Sequence, residues 1–147
     1  MLVSTRTRYG TRAMLELGLN HGAGPVSVRQ ISQRQEISDK YLEQLVQRLK
    51  EAGLVTSIRG AGGGYLLARP PADIRMSDIV QALEGRIADM PCLGDPAACH
   101  RSATCASRDV WSHLEGQIAL VLDSITVADL VANHRDKQER LAASYAI

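Results

Sequence analysis

Ser38-Asp-Lys-Tyr-Leu-Glu-Gln-Leu-Val-Gln-Arg-Leu-Lys-Glu-Ala-Gly53 is the most regular stretch of the chain. Leu42, Leu45, Val46 and Leu49 recur at i, i+3, i+4 and i+7, the spacing of a helix with one buried stripe. Ser38 supplies an N-cap oxygen, and Gly53 stands where a helix end favours glycine. Lys40, Glu43, Gln44 and Gln47 share the same spacing on the opposite side. Just upstream, Ser27-Val-Arg-Gln30 has capping-box form and predicts a short helix with Val28 and Ile31 inward. A tight connection at Gln35-Glu-Ile37 joins the two helices. Further upstream, Arg6 to about His21 reads as a helix with Ala13, Met14 and Leu17 on one face, ended by Gly22-Ala-Gly-Pro25. Downstream, Leu54–Ile58 and Tyr65–Ala68 read as two short strands around Arg59-Gly-Ala-Gly-Gly-Gly64. The order of helix, tight turn, helix and hairpin predicts a winged helix-turn-helix.

The rest of the chain reads differently. Ser77 is expected to cap a helix with Ile79, Val80 and Leu83 inward, ending at Gly85. Residues 86–104 show no period and contain Pro91, Gly94 and Pro96. A long helix is expected from about Thr104, where Trp111, Leu114, Ile118, Val121 and Ile125 repeat at steps of three and four. Thr126-Val-Ala-Asp129 resembles a capping box for a short last helix, and His134 onward reads as a tail. The expected organisation is a winged helix-turn-helix region over 1–85, a cysteine-bearing loop over 86–104, a long helix with a coiled-coil-like seam and a short final helix over 105–133, and a tail over 134–147. The fold class is mainly α.

Composition limits the function. The 147 residues suit one domain, and 45% apolar with 22% charged residues is ordinary globular composition. Phe is absent, so the core rests on aliphatic residues and Met. No apolar run approaches the roughly 18 residues of a membrane span, and the N-terminus lacks a long apolar core. The expected location is the cytoplasm. The net charge of +1 conceals an asymmetry: residues 1–75 hold 11 Lys/Arg against 6 Asp/Glu, and residues 76–147 hold 6 against 10. A basic front half points to a polyanion as its partner.

The polar helix face suits the major groove, because a carboxylate accepts from cytosine N4 and a Gln amide pairs with adenine. The glycine run is not a nucleotide-binding loop, since no Gly-Lys-Ser/Thr follows it. A side-chain-free hairpin tip approaches DNA closely, with Arg59 placed to enter a minor groove. Nothing resembles a nucleophile-and-base pair, so an enzyme is not expected. Cys92, Cys99 and Cys105 are the only cysteines and lie in or beside one irregular segment. An odd number argues against a disulfide framework. Clustered thiolates bind soft metals or iron–sulfur clusters, and the wide spacing leans away from the Cys-x2–4-Cys pairs of structural zinc. Zinc and a bare thiol switch remain open as alternatives, as does a small iron–sulfur electron carrier.

Several motifs together resemble the Rrf2 group of bacterial winged helix-turn-helix regulators, of the IscR, NsrR and RirA type. They are Arg8-Tyr9, Ile37-Ser38, Tyr41-Leu-Glu-Gln-Leu45, Gly53-Leu-Val55, Arg59-Gly60, Gly62-Gly-Gly-Tyr-Leu66 and the three cysteines. The resemblance covers residues 4–133. It implies a homodimer on a palindromic double-stranded operator, with the helix after the third cysteine forming much of the interface. It implies that Ser38, Lys40, Glu43 and Gln44 read bases, that Arg59 and Gly60 enter the minor groove, and that Cys92, Cys99 and Cys105 ligate a [2Fe–2S] or [4Fe–4S] cluster. This chain departs from the pattern at Arg108, where IscR-like proteins carry a ligating His, and at Arg8, where some relatives carry a ligating carboxylate. The fourth ligand is therefore open among His100, Asp95, Asp109, His113, a partner-chain group or a small exogenous molecule.

Overall fold

The computed structural model describes residues 3–86 and 90–146; positions 87–89 of the cysteine-bearing segment lie outside the described residues. Among the described residues, seven α-helices and one hairpin are arranged in the order α1 (Thr5–Leu19), α2 (Val28–Gln35), α3 (Asp39–Glu51), β1 (Val55–Ile58), β2 (Gly64–Leu67), α4 (Met76–Glu84), α5 (Pro91–Gly94), α6 (Ala106–Asp123) and α7 (Val127–Tyr145). The expected mainly α winged helix-turn-helix is the fold observed.

Local chemistry sets most boundaries. Ser4, Ser27, Ser38 and Thr126 each accept a backbone N–H with the side-chain oxygen, starting α1, α2, α3 and α7. The boxes at Ser27–Gln30 and Thr126–Asp129 are both closed reciprocally. Hydrogen bonds from the Thr126 backbone (2.8 Å) and hydroxyl (2.9 Å) hold the Asp129 carboxyl below its ordinary pKa. The expected cap at Ser77 is not used. Helix α4 is already under way at Met76, and Asp78 Oδ2 accepts the N–H of Arg75, the residue before it (2.9 Å). The last helix is not short, since α7 runs through most of the expected tail to Tyr145. Leu141-Ala-Ala143 favours helix without any buried stripe, and Arg140 pairs with Asp136 one turn back (3.0 Å).

The core lies in the head, residues 3–85, together with the start of α7. Met14, Ile31, Leu42, Leu45, Leu49, Ile74, Ile79, Leu83 and Val127 are essentially inaccessible. Helix α1 runs through this core and touches α2, α3, α4, α7 and β2. Two glycines permit the close approach: a Cβ at Gly10 would stand 2.1 Å from Leu83 Cδ1, and one at Gly18 2.8 Å from Val127 Cγ1. The hairpin is antiparallel, with Val55 opposite Leu67 and Ile58 opposite Gly64. Next to the turn, β2 is extended by Val26, which exchanges backbone bonds of 2.9 and 2.8 Å with Tyr65. Helix α6 contributes no buried residue and passes alongside α4 and α5. The chain then returns to the head, where Met76 N–H donates to the Ile125 carbonyl (2.8 Å) and Val127 N–H to that of Ile74 (2.9 Å).

Candidate nucleic-acid interface and cysteine segment

Helix α3 is held by its neighbours on every side but one. Leu42, Leu45, Val46 and Leu49 are buried as their spacing requires. The turn before α3 is fixed by Glu36, which caps α2 in the left-handed conformation (φ 53°). Beside that turn, buried Glu16 of α1 accepts from Gln35 Nε2 (2.6 Å) and Arg34 (3.2 Å), while Arg12 donates to Gln35 Oε1 (2.8 Å) and to the Gln35 carbonyl. Four polar groups thereby lock α1 to the end of α2, and each satisfies another's desolvated atoms. At the other end of the turn, the Tyr41 ring meets Tyr9 edge-on (6.0 Å, 76°), and the Arg12 guanidinium lies 5.4 Å from the Tyr9 ring.

The remaining face of α3 is open. Lys40, Glu43 and Gln44 are exposed and have no side-chain partner among the described residues; Ser38 is exposed, its hydroxyl engaged in the cap (3.3 Å to Tyr41 N). Gln47 donates to Glu51 (2.9 Å) and Lys50 to Ser57 of β1 (2.8 Å), the latter tying the end of α3 to the hairpin. Arg59 and Gly60 lie exposed in the hairpin turn, where the Gly60 carbonyl accepts from Gly63 N–H (3.0 Å).

Sequence reasoning missed the joint at the end of the head. The Leu83 carbonyl accepts two guanidinium bonds, from Arg6 of α1 (3.1 Å) and from Arg48 of α3 (3.3 Å). Next to it, Glu84 accepts from Thr7 (2.8 Å) and Ser4. Partial burial pushes the Glu84 carboxyl up, but the Ser4 and Thr7 bonds and the Arg6 charge outweigh it and leave its pKa lowered. Glu84 and its α1 partners are almost 80 residues apart in sequence, so no local pattern announces them.

The three cysteines are free and half-buried, each at a different turn of one segment. Cys92 lies in α5, Cys99 comes directly after the 3-10 turn Pro96–Ala98, and Cys105 is the N-cap of α6. Arg108 donates Nε–H to the Cys92 carbonyl (3.0 Å), joining α6 to α5. The Ser102 hydroxyl, between Cys99 and Cys105 in sequence, is buried with no hydrogen-bond partner. Among the described residues no three His, Cys, Asp or Glu side chains are gathered to hold a metal ion. Three thiols are soft donors of the kind that iron–sulfur clusters and zinc take, but the donor set is open rather than closed. Of the candidate fourth ligands, Asp95 already accepts from Ala97 N–H (2.9 Å), and Asp109 and His113 share a groove on α6 with Gly116 and Leu120. His100 is exposed, and Arg8 donates to Thr5 (3.2 Å) and lies 6.0 Å from the Tyr9 ring.

The comparisons with known proteins decide the family. Residues 3–133 match the model of the Rrf2 family, described as an iron-dependent transcriptional regulator. The chain belongs to the Rrf2 family. This Rrf2 protein is 42% identical over 131 residues to protein rrf2 of Nitratidesulfovibrio vulgaris, covering 89% of this chain and 87% of that one. Among solved structures it is similar to CymR of B. subtilis, described as the global cysteine regulator (42% identity, TM-score 0.75, 90% and 98% of the two chains). It is similar to nearly the same degree to IscR of T. potens (41% identity, TM-score 0.77, 94% and 91%). The Rrf2 chain is thus a DNA-binding transcription regulator and not an enzyme. Among the described residues no helix is long and apolar enough to cross a membrane.

Proposed function

We propose that the protein is a cytoplasmic homodimer that reads a palindromic operator and senses the state of an iron–sulfur cluster. Base reading falls to Ser38, Lys40, Glu43 and Gln44 of α3, with Arg59 and Gly60 entering the minor groove. Cys92, Cys99 and Cys105 hold the cluster, which when bound supplies oxidant-sensitive iron at the foot of α6. Its type, [2Fe–2S] or [4Fe–4S], goes with the fourth ligand, which Arg108 does not provide. Pairing of two chains through the exposed apolar stripe of α6 explains why that helix buries nothing by itself. Twofold symmetry in the protein then requires twofold symmetry in the operator.

The observation that carries the sensing function is the placement of all three half-buried cysteines on the one segment that joins the head to α6. To grip one group, the three thiols must converge and the segment must order around it. The segment 91–105 therefore has one shape when loaded and another when empty. If the two shapes differ in DNA affinity, DNA shifts cluster affinity by the same factor.

The test is anaerobic purification with iron, acid-labile sulfide and visible absorbance measured together, then operator binding of loaded and stripped protein. Coloured protein with iron and sulfide, whose operator affinity changes on stripping, supports the proposal. Colourless, iron-free protein that discriminates its operator fully removes the cluster and leaves a regulator using zinc or bare thiols. Cys99→Ala should abolish the absorbance while the head melts as before.

A further inference from the structure

On the open face of α3, Gln47 is held by a neighbour on its own helix. Gln47 sits between Glu43 and Lys40 in angular position on the helix, and its amide nitrogen donates to Glu51 Oε1 at 2.9 Å. A carboxylate accepts only, so the bond fixes which end of the amide is which. Among the described residues no other side chain bonds to Glu51. The Arg48 guanidinium is turned to the Leu83 carbonyl (3.3 Å), and the Lys50 ammonium is on Ser57 Oγ (2.8 Å). Glu51 forms no ion pair among the described residues.

We propose that Glu51 is a positioning residue that turns the Gln47 carbonyl oxygen toward the DNA, so that Gln47 selects a base with an exocyclic amino group. In the major groove that group is adenine N6 or cytosine N4. The second N–H of the amide remains free for adenine N7, which places adenine above cytosine. The proposal rests on the reading that α3 lies in the major groove. Glu43 lies one helical turn from Gln47, about 5–6 Å away. With base pairs about 3.4 Å apart, the two side chains address positions roughly two base pairs apart in each half-site.

Selection of binding sites from random duplex DNA tests this with the full-length protein and four variants. Gln47→Ala should flatten the preference at one position per half-site. Glu51→Gln should keep it, because its side-chain carbonyl accepts the same bond. Glu51→Lys should invert it: the ammonium donates to the Gln47 oxygen, the amide turns over, and guanine or thymine is favoured by about three- to tenfold. Glu43→Ala serves as the control for the groove itself. If Glu43→Ala alters the selected sites and Glu51→Lys does not, the positioning role is overturned and the groove reading survives. If neither alters them, the groove reading fails and takes the proposal with it.

Discussion

The head and α6 are built from similar apolar residues and use them in opposite ways. In the head and the start of α7, aliphatic side chains of five helices and a hairpin converge until many are at or below 2% exposure. On α6, Trp111 is 44% exposed, Leu114 41% and Val121 58%, although they repeat as regularly as the stripe of α3. Periodicity therefore reports only that a face is meant for burial. Whether its partner lies in the same chain depends on the rest of the molecule. With the start of α7 the head fills its own core, whereas α6 leaves its stripe uncovered within the described chain.

The sharpest way to break this contrast is to replace one leucine on each side of it. Leu45→Ala should cost about 2–5 kcal/mol of unfolding free energy in a denaturant melt, the range for a buried leucine with nowhere to collapse. A loss below about 1 kcal/mol would mean that the head is looser than described. Leu114→Glu should instead leave the far-ultraviolet spectrum and the head's stability in place, halve the molar mass seen by light scattering, and weaken operator binding by about 100-fold. A variant that stayed dimeric would move the interface off α6.

The smallest expected effect concerns the joint at the end of the head, where Glu84 ties α4 to the start of α1. The Glu84 pKa is lowered by folding, so its contribution is present above the ordinary value of 4.5 and is lost as pH falls below it. Wild type should therefore lose melting temperature faster than Glu84→Gln on titration from about pH 5 to pH 3, by a few degrees at most for an exposed carboxylate. Parallel curves would remove Glu84 from the joint.

Legibility in the sequence divides along the same line. Ser27 with Gln30 and Thr126 with Asp129 announce their helices because a cap and its partner are three residues apart. The stripe of α3 was legible for the same local reason. Ser77 misled because Asp78 also has capping oxygens, and the backbone took the aspartate. Buried Glu16 could not be anticipated, since only the arrival of Arg34 and Gln35 from α2 makes room for its charge. The open face of α3 and the cysteines were recognised from residue type. The bonds that orient them, from Glu51, Lys50 and Arg108, depend on rotamers that no spacing encodes.

The bridge from Val26 to Tyr65 bears on the hairpin's dynamics. It turns a freestanding pair of strands into the edge of a three-strand patch seated on α1. Any swing of the hairpin must break those two backbone bonds, so freedom is confined to the tip between Ile58 and Gly64. If the tip enters a phosphate-lined furrow as proposed, the entropy surrendered is that of five residues, not of the whole wing, at roughly 1–2 kcal/mol each as an upper bound.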